Sequence, residues 1–238
     1  IMIPINIYAT SSILSIALFL TFGGSFAQTC DSLILESIGN PGNYTIGSLT
    51  ESDGLRDGPD YNGATIYYPT NATPPYSGIA IAPGFVSLQS SIQNWGPFLA
   101  SHGIVTMTIG TNNILGSPET RRDALLDALV TLKGENTRTG SPLLGQLDVN
   151  SLAVGGWSMG GGGAQLAAVA DPSIKAVMVL CPWLDSKTLS PIDINHSAPI
   201  LFFSAENDGI APHSSQADVH YDYTLQSTSK MLFEISGG

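Results

Sequence analysis

From about residue 40 to the end of the chain, short apolar runs alternate with longer stretches in which apolar positions return every third or fourth residue. The first pattern predicts strands and the second predicts amphipathic helices. Residues 45–50 and 64–68 predict paired antiparallel strands, joined by the Gly- and Asp-rich turn 53–63. A short strand follows at 79–82, then a helix over 91–102 with Ile92, Trp95, Phe98 and Leu99 on one face, then a strand at 104–109. Pro118 and Glu119 open a helix with a broad apolar side, Ala124, Leu125, Ala128, Leu129 and Leu132, which closes at Lys133-Gly134. An apolar run ending at Val154 leads through glycines into an apolar helix over 164–170, and strands are predicted at 176–180, 200–203 and 231–235. Runs that are apolar nearly throughout suit parallel strands covered on both faces, with helices between them. The fold class is α/β: an open, mostly parallel twisted sheet with helices on both faces.

The chain has 238 residues, 43% hydrophobic and 11% charged, enough for one α/β domain with a large core and too few for two. With 8 basic against 19 acidic residues the net charge is −11, which disfavours nucleic acid and anionic membrane surfaces as partners. The first 27 residues carry no charge. They contain the apolar run 11–22, too short for a bilayer span, and then Ser25-Phe26-Ala27, with small residues at the two positions a signal peptidase reads. This predicts a secretory signal over 1–27, a single domain over 28–238, and a protein exported to the periplasm or the medium with no stable membrane span. A buried first strand is the competing reading, because an apolar stretch alone does not separate the two. Cys30 lies at the expected mature terminus and Cys181 at the end of a core strand, so no structural disulfide is expected.

The chemistry centres on Gly156-Trp157-Ser158-Met159-Gly160, a G-x-S-x-G nucleophile elbow between a strand and a helix. A turn this tight leaves no room for a Cβ two residues before or after the serine. It lifts the Ser158 hydroxyl above the sheet and leaves the N–H of Met159 at a helix start, aimed where charge develops on a substrate carbonyl oxygen. A purely structural glycine turn is the plain alternative, and the strand before and helix behind argue against it. A phosphate loop is disfavoured, since no Lys follows the glycines and G-x-G-x-x-G does not fit the junction.

Two further stretches lie at strand ends. Glu206-Asn207-Asp208 follows the strand 200–203, where a hydrolase fold places the acid that orients a histidine; Asp208 is the first choice and Glu206 its rival, with a solvated acidic turn as the plain alternative. Pro83-Gly84-Phe85 follows the strand 79–82, and the backbone N–H of Phe85 is the candidate second oxyanion donor, with its ring over the substrate.

Taken with Gln89-Ser90-Ser91-Ile92, Trp95-Gly96-Pro97, Leu99-Ala100-Ser101-His102-Gly103, Pro182-Trp183 and Ile210-Ala211-Pro212, these motifs resemble the bacterial cutinases and poly(ethylene terephthalate) hydrolases, over about residues 40–238. The resemblance implies an α/β-hydrolase fold, Ser158 as nucleophile, Asp208 as triad acid and the N–H groups of Phe85 and Met159 as oxyanion hole. It also implies Trp183 as an aromatic wall and Ile210 as an apolar contact in an open groove. Phe85 stands where the family has a tyrosine, which keeps the backbone donor and removes a hydroxyl. Ala205 stands where some members have a cysteine, so no bridge forms there.

The family's triad histidine follows the last strand as Gly-Gly-x-His, whereas this chain reads Ser236-Gly237-Gly238; the base is expected two residues beyond, with the C-terminal part of the domain incomplete. His102, His196, His213 and His220 are expected to be surface or helix-end residues, since the base must approach Ser158 from a loop after the final strand. The expected function is a secreted, monomeric serine ester hydrolase that cleaves polyester or lipid-like esters through an acyl-serine, with no cofactor and no metal. A dienelactone-hydrolase-like enzyme for small esters or lactones and a non-catalytic binding protein on the same scaffold are the alternatives.

Overall fold

The computed structural model describes residues 39–185, 190 and 193–238, together with the backbone of Ile5–Ala9. The strands among them are β1 (Ile5–Ala9), β2 (Ile46–Leu49), β3 (Ala64–Pro69), β4 (Tyr76–Ala82), β5 (Val105–Ile109), β6 (Leu147–Trp157), β7 (Ala176–Leu180), β8 (Ile200–Ala205) and β9 (Lys230–Ile235). They form one nine-stranded sheet in the order β1-β9-β8-β7-β6-β4-β5-β3-β2. From β5 through β4, β6, β7 and β8 to β9 every pairing is parallel, and β3, β2 and β1 add antiparallel strands at the two edges. The α/β-hydrolase fold expected from the sequence is therefore observed, including the antiparallel pair β2 and β3. Within the segment read as a leader, Ile5–Ala9 pairs with β9; the apolar run 11–22, the cleavage site after Ala27 and Cys30 lie outside the described residues.

The helices are α1 (Trp95–Ser101), α2 (Pro118–Glu135), α3 (Met159–Ala170) and α4 (Ala217–Tyr223), with 3₁₀ turns at Glu51–Asp53, Gln89–Ser91 and His213–Ser215. The pleat of β4 shows how the sheet divides its faces. Ala80 and Ala82 join the main core with Leu125, Leu129 and Leu132 of α2 and Ala164 and Ala167 of α3. Ile79 and Ile81 face the other way, onto Ile92, Trp95 and Leu99. Each such Leu or Ile, taken from water to full burial, contributes about 1.5–3 kcal/mol. No described helix is long and apolar enough to cross a membrane.

The departures from the sequence pattern have local causes. The helix expected over 91–102 is a 3₁₀ turn followed by α1, because Pro97 lacks an N–H and fits only in a helix's first turn, which obliges the helix to start at Trp95. The polar stretch 148–151 belongs to β6, which pairs with β4 through a register shift between Tyr76 and Gly78. The helix expected to close at Lys133-Gly134 continues to Glu135, whose buried carboxylate accepts from Arg138 (2.7 Å) and Ser141 (2.6 Å).

Candidate active site

β4 sits between β5, the next strand in the chain, and β6, the one after that. The connections leaving β4 and β6 therefore diverge, and a crevice opens at their carboxyl ends, where open α/β sheets hold their ligands. Ala82 pairs with Gly156 in register, so Pro83-Gly84-Phe85 runs beside the turn that carries Ser158. A Cβ on Gly84 would stand 3.0 Å from Ser158 Cβ.

The turn at Ser158 is a strained one. Its φ of 54° and ψ of −119° lie outside the regions an L-residue favours, at a cost of about 1–3 kcal/mol. The surroundings hold it there. The Ser158 N–H donates to the Leu180 carbonyl (2.9 Å), and its own carbonyl accepts from Gly162 (3.1 Å) and Trp183 (2.9 Å). A Cβ on Gly156 would lie 2.2 Å from the carbonyl carbon of Gly160, and one on Gly160 would lie 2.3 Å from the Ala82 oxygen. Both glycines are thus fixed by backbone meeting backbone.

Met159 is the first residue of α3, and among the described residues neither its N–H nor that of Phe85 finds a protein acceptor. Phe85 is held from both sides: the Gly84 carbonyl accepts from Arg121, and the Val86 N–H donates to Ile114 (2.8 Å), with Val86 at φ 53°. The Phe85 ring is 47% exposed and Ile210 85%, and Val86, Leu88, Leu115 and Trp157 are also exposed, so the crevice opens onto an apolar surface. Trp183 and Met159 share a shallow groove of about 250 Å³ with Leu115, Gly116, Ser117, Pro118, Glu119 and Asp185.

Asp208 lies in the loop after β8. One of its carboxylate oxygens accepts the N–H groups of Ile210 and Ala211, both at 2.8 Å, so the side chain is fixed. Burial and the neighbouring Asp208 carboxylate, which accepts from the thiol, push Cys181 up to about 11. Cys181 lies between Leu180 and Trp183, whose backbones bond Ser158, so Asp208 stands next to the segment that carries the serine. Glu206, the rival acid, turns elsewhere: its exposed carboxylate accepts from the Ser236 hydroxyl (2.9 Å) and the Gly237 N–H (2.7 Å), which hold its pKa below the usual range. The Glu206 N–H donates to Ile235 and that of Asn207 to Gly238 (2.7 Å), lacing the acid loop to the end of β9.

No imidazole among the described residues hydrogen-bonds Ser158 or Asp208. His102 is exposed on the end of α1 against the Asn40 carbonyl, and His196 is buried. His213 meets Asp218 (2.9 Å) and Glu234 (3.2 Å), and the bond to Asp218 raises its pKa most. These three are the one group among the described residues whose ligand atoms lie close enough to hold a metal ion. They line a separate cleft of about 410 Å³ that does not include Ser158 or Asp208. Like His196, His220 was expected to be a surface or helix-end residue and is instead buried, with burial pushing its pKa down to about 3. Its Nδ1 accepts from Gln165 (2.6 Å), and its Nε2–H donates to the Gln216 side chain (3.3 Å). Gln216 also grips both backbone groups of Leu184, so a buried relay from α3 through His220 braces the loop bearing Trp183.

Two features of the site escaped the sequence reading: this relay, and Arg121. Arg121 precedes Ala124 and Leu125 by three and four positions, which puts a cation on the apolar face of α2, and that spacing was its available signal.

Residues 39–238 match the family model for PET hydrolase-like proteins. The bis(hydroxyethyl) terephthalate hydrolase of Streptomyces coelicolor is 40% identical over 177 residues, covering 74% of this chain and 54% of that protein. Cutinase est1 of Thermobifida alba is 37% identical, covering 79% of this chain and 62% of its own; Cutinase 2 of Thermobifida cellulosilytica is 36% identical, covering 80% and 70%. The chain thus spans only 54% and 62% of the length of the first two of these relatives. With the sheet order, the strained Ser158 turn and this match in agreement, the chain belongs to the PET hydrolase-like family.

Proposed function

We propose that this chain is the core of a secreted, monomeric serine ester hydrolase that cleaves polyester or lipid-like esters through an acyl-serine intermediate. The observation that carries the reading is the geometry of Ser158, held at φ 54° above the sheet beside the N–H groups of Met159 and Phe85, which find no protein acceptor among the described residues. In this reading Ser158 Oγ attacks the ester carbonyl as a histidine takes its proton, and the two N–H groups bind the oxyanion of the tetrahedral intermediate. Collapse expels the alcohol, protonated by the imidazolium, and water then repeats the sequence on the acyl-serine to release the acid. Asp208 orients the imidazole and stabilises its charged form. The end of β9 is laced to the acid loop through Gly238 and Asn207, so a histidine carried after that strand would stand beside Asp208.

Substrate choice follows from the surface. Phe85, Ile210 and Trp183 flank an open crevice, which suits a chain lying across the protein better than a small lactone enclosed in a pocket. The names of the relatives, two cutinases and a terephthalate ester hydrolase, support an ester with an apolar acyl part. The uncharged run 11–22 ahead of Ala27 supports export, and the mature protein would begin near Gln28.

The test uses the full-length protein and its Ser158→Ala variant on a chromogenic short-chain ester and on a polyester film. Ester cleavage with release of soluble acids from the film, both lost in Ser158→Ala, is the expected result. Cleavage of the soluble ester alone would favour a small-ester enzyme, and inertness toward both would favour a binding protein.

A further inference from the structure

Arg121 has no solvent exposure, and among the described residues no carboxylate pairs with it. A guanidinium in such a place demands an equivalent to its lost hydration. It finds backbone carbonyls instead: one terminal nitrogen donates to Gly116 and Asn113 (3.3 Å), and the other to Ile114 (2.9 Å) and Gly84 (3.1 Å). Three of these carbonyls belong to the loop that leads into α2, where an arginine could serve merely as local cement. The fourth is remote in sequence, and it belongs to the loop that carries Phe85.

The Gly84 carbonyl and the Phe85 N–H are two ends of one peptide unit, and that unit is trans. In a trans peptide the C=O and N–H point in opposite directions, so a donor fixed on the oxygen sets the plane in which the N–H can point. Charge withdrawn at the oxygen also makes the N–H a better donor, by about a tenth to a third per bond along such a chain. The next peptide is anchored to the same place, because the Val86 N–H donates to the Ile114 carbonyl that Arg121 also holds. The space for this arrangement is provided by two glycines, Gly163 in α3 and Gly116 in the loop before α2. A Cβ on Gly163 would lie 2.6 Å from Arg121 Cβ, and one on Gly116 would lie 2.9 Å from its guanidinium. The first turn of α2 is thereby seated against α3, the helix that begins at Met159.

We propose that Arg121 is a positioning residue of the oxyanion hole, which fixes and polarises the Gly84–Phe85 peptide so that the Phe85 N–H is aimed at the developing oxyanion. The proposal rests on the serine-hydrolase reading above. Its consequence is specific to the transition state: the ground-state ester carbonyl demands little of that donor, whereas the tetrahedral oxyanion demands much.

The experiment compares full-length wild type, Arg121→Met and Arg121→Lys on a soluble chromogenic ester, each assayed well below its own melting temperature with active sites counted by endpoint titration with an organophosphonate, alongside Ser158→Ala, which has no serine to titrate and is assayed per mole of protein. Removing one oxyanion donor outright costs about 10²–10³ in kcat, so loosening one should cost about 10–100-fold. The expected result for Arg121→Met is that loss in kcat per active site with KM within twofold of wild type. Arg121→Lys keeps the charge and stem but offers a point donor in place of a fork, and should fall between the two; it carries the test alone if Arg121→Met does not fold. A role confined to stability would lower the melting temperature and leave kcat per active site within twofold of wild type, and that outcome with Ser158→Ala inactive overturns this proposal alone. Full activity in Ser158→Ala would overturn the serine reading and this proposal together.

Discussion

Replacing Gly160 by alanine sets two physical effects against each other, and the structure says which wins. Gly160 is the second residue of α3, where alanine in place of glycine gains about 0.8–1.0 kcal/mol of helix propensity. The added methyl, however, would stand 2.3 Å from the Ala82 carbonyl oxygen and 2.7 Å from that of Pro83. A carbon–oxygen contact settles at about 3.3 Å, so α3 and the end of β4 must separate by about 1 Å. Both oxygens are backbone at the carboxyl end of β4 and neither can rotate away, which puts the strain at the upper end of the usual overpacking cost, about 3 kcal/mol. The net is about 2 kcal/mol of destabilisation, and a domain of this size loses about 2–4 °C of melting temperature per kcal/mol, hence about 4–8 °C. Gly134 is the internal control, since it lies in α2 with negative φ and nothing within 4 Å of its Cβ position. Gly134→Ala should gain about 0.5–1 kcal/mol, or about 1–4 °C. Thermal unfolding followed by circular dichroism reads both. A Gly160→Ala protein that melts at or above wild type would refute the claim that close backbone approach, rather than local conformation, selects glycine there.

Trp183→Ala should reduce release of soluble acids from a polyester film several-fold more than it reduces cleavage of a short soluble ester, because the ring lies beside the groove and contacts parts of the substrate away from the reacting carbonyl; equal losses on both would contradict an extended groove. Cys181, with its thiol pushed up to about 11, should react with iodoacetamide at pH 8 about 100-fold or more slowly than an unhindered thiol, and Asp208→Asn should speed the reaction by removing the adjacent charge. His220 has a folded-state pKa of about 3, below its value in the unfolded chain, so the unfolded state binds the extra proton and stability is complete above about pH 6.5 and lost as pH falls toward 3. Denaturant unfolding between pH 6 and pH 4 should show a slope steeper in wild type than in a His220→Gln protein by about 1.4 kcal/mol per pH unit, the remainder including buried His196, and equal slopes in the two would assign the acid sensitivity to other groups.

The strand-to-helix turn at Ser158 was legible in the sequence because its signals are local: an apolar run, glycines at fixed offsets, then an apolar helix. The parallel centre of the sheet was legible for a similar reason, since β7, β8 and β9 are nearly continuous apolar runs. Element limits were less so. Hydropathy does not register that Pro97 resets the start of α1, nor that Asp148 to Ser151 can remain in a strand whose partner has shifted register. α4 was hidden because its central buried side chain is a histidine satisfied by Gln165 and Gln216, residues 55 and 4 positions away, rather than a hydrophobe. The choice between Asp208 and Glu206 turns on contacts between strand ends, which a linear pattern does not carry. Arg121 was obscured for the opposite reason: an arginine in a helix's first turn reads as solvated until the carbonyls that surround it are in view.

Those carbonyls give the crevice a further property. Arg56 is paired with a carboxylate, that of Asp127 on α2, 2.6 Å away. Arg121 has only neutral dipoles around it, and none of them titrates while the chain is folded. In the proposed reaction every ester cleaved would liberate an acid, and at the surface of a solid polymer that acid would accumulate where the protein is seated. The segment bearing Phe85 is moored by bonds that such an acid would not dissolve.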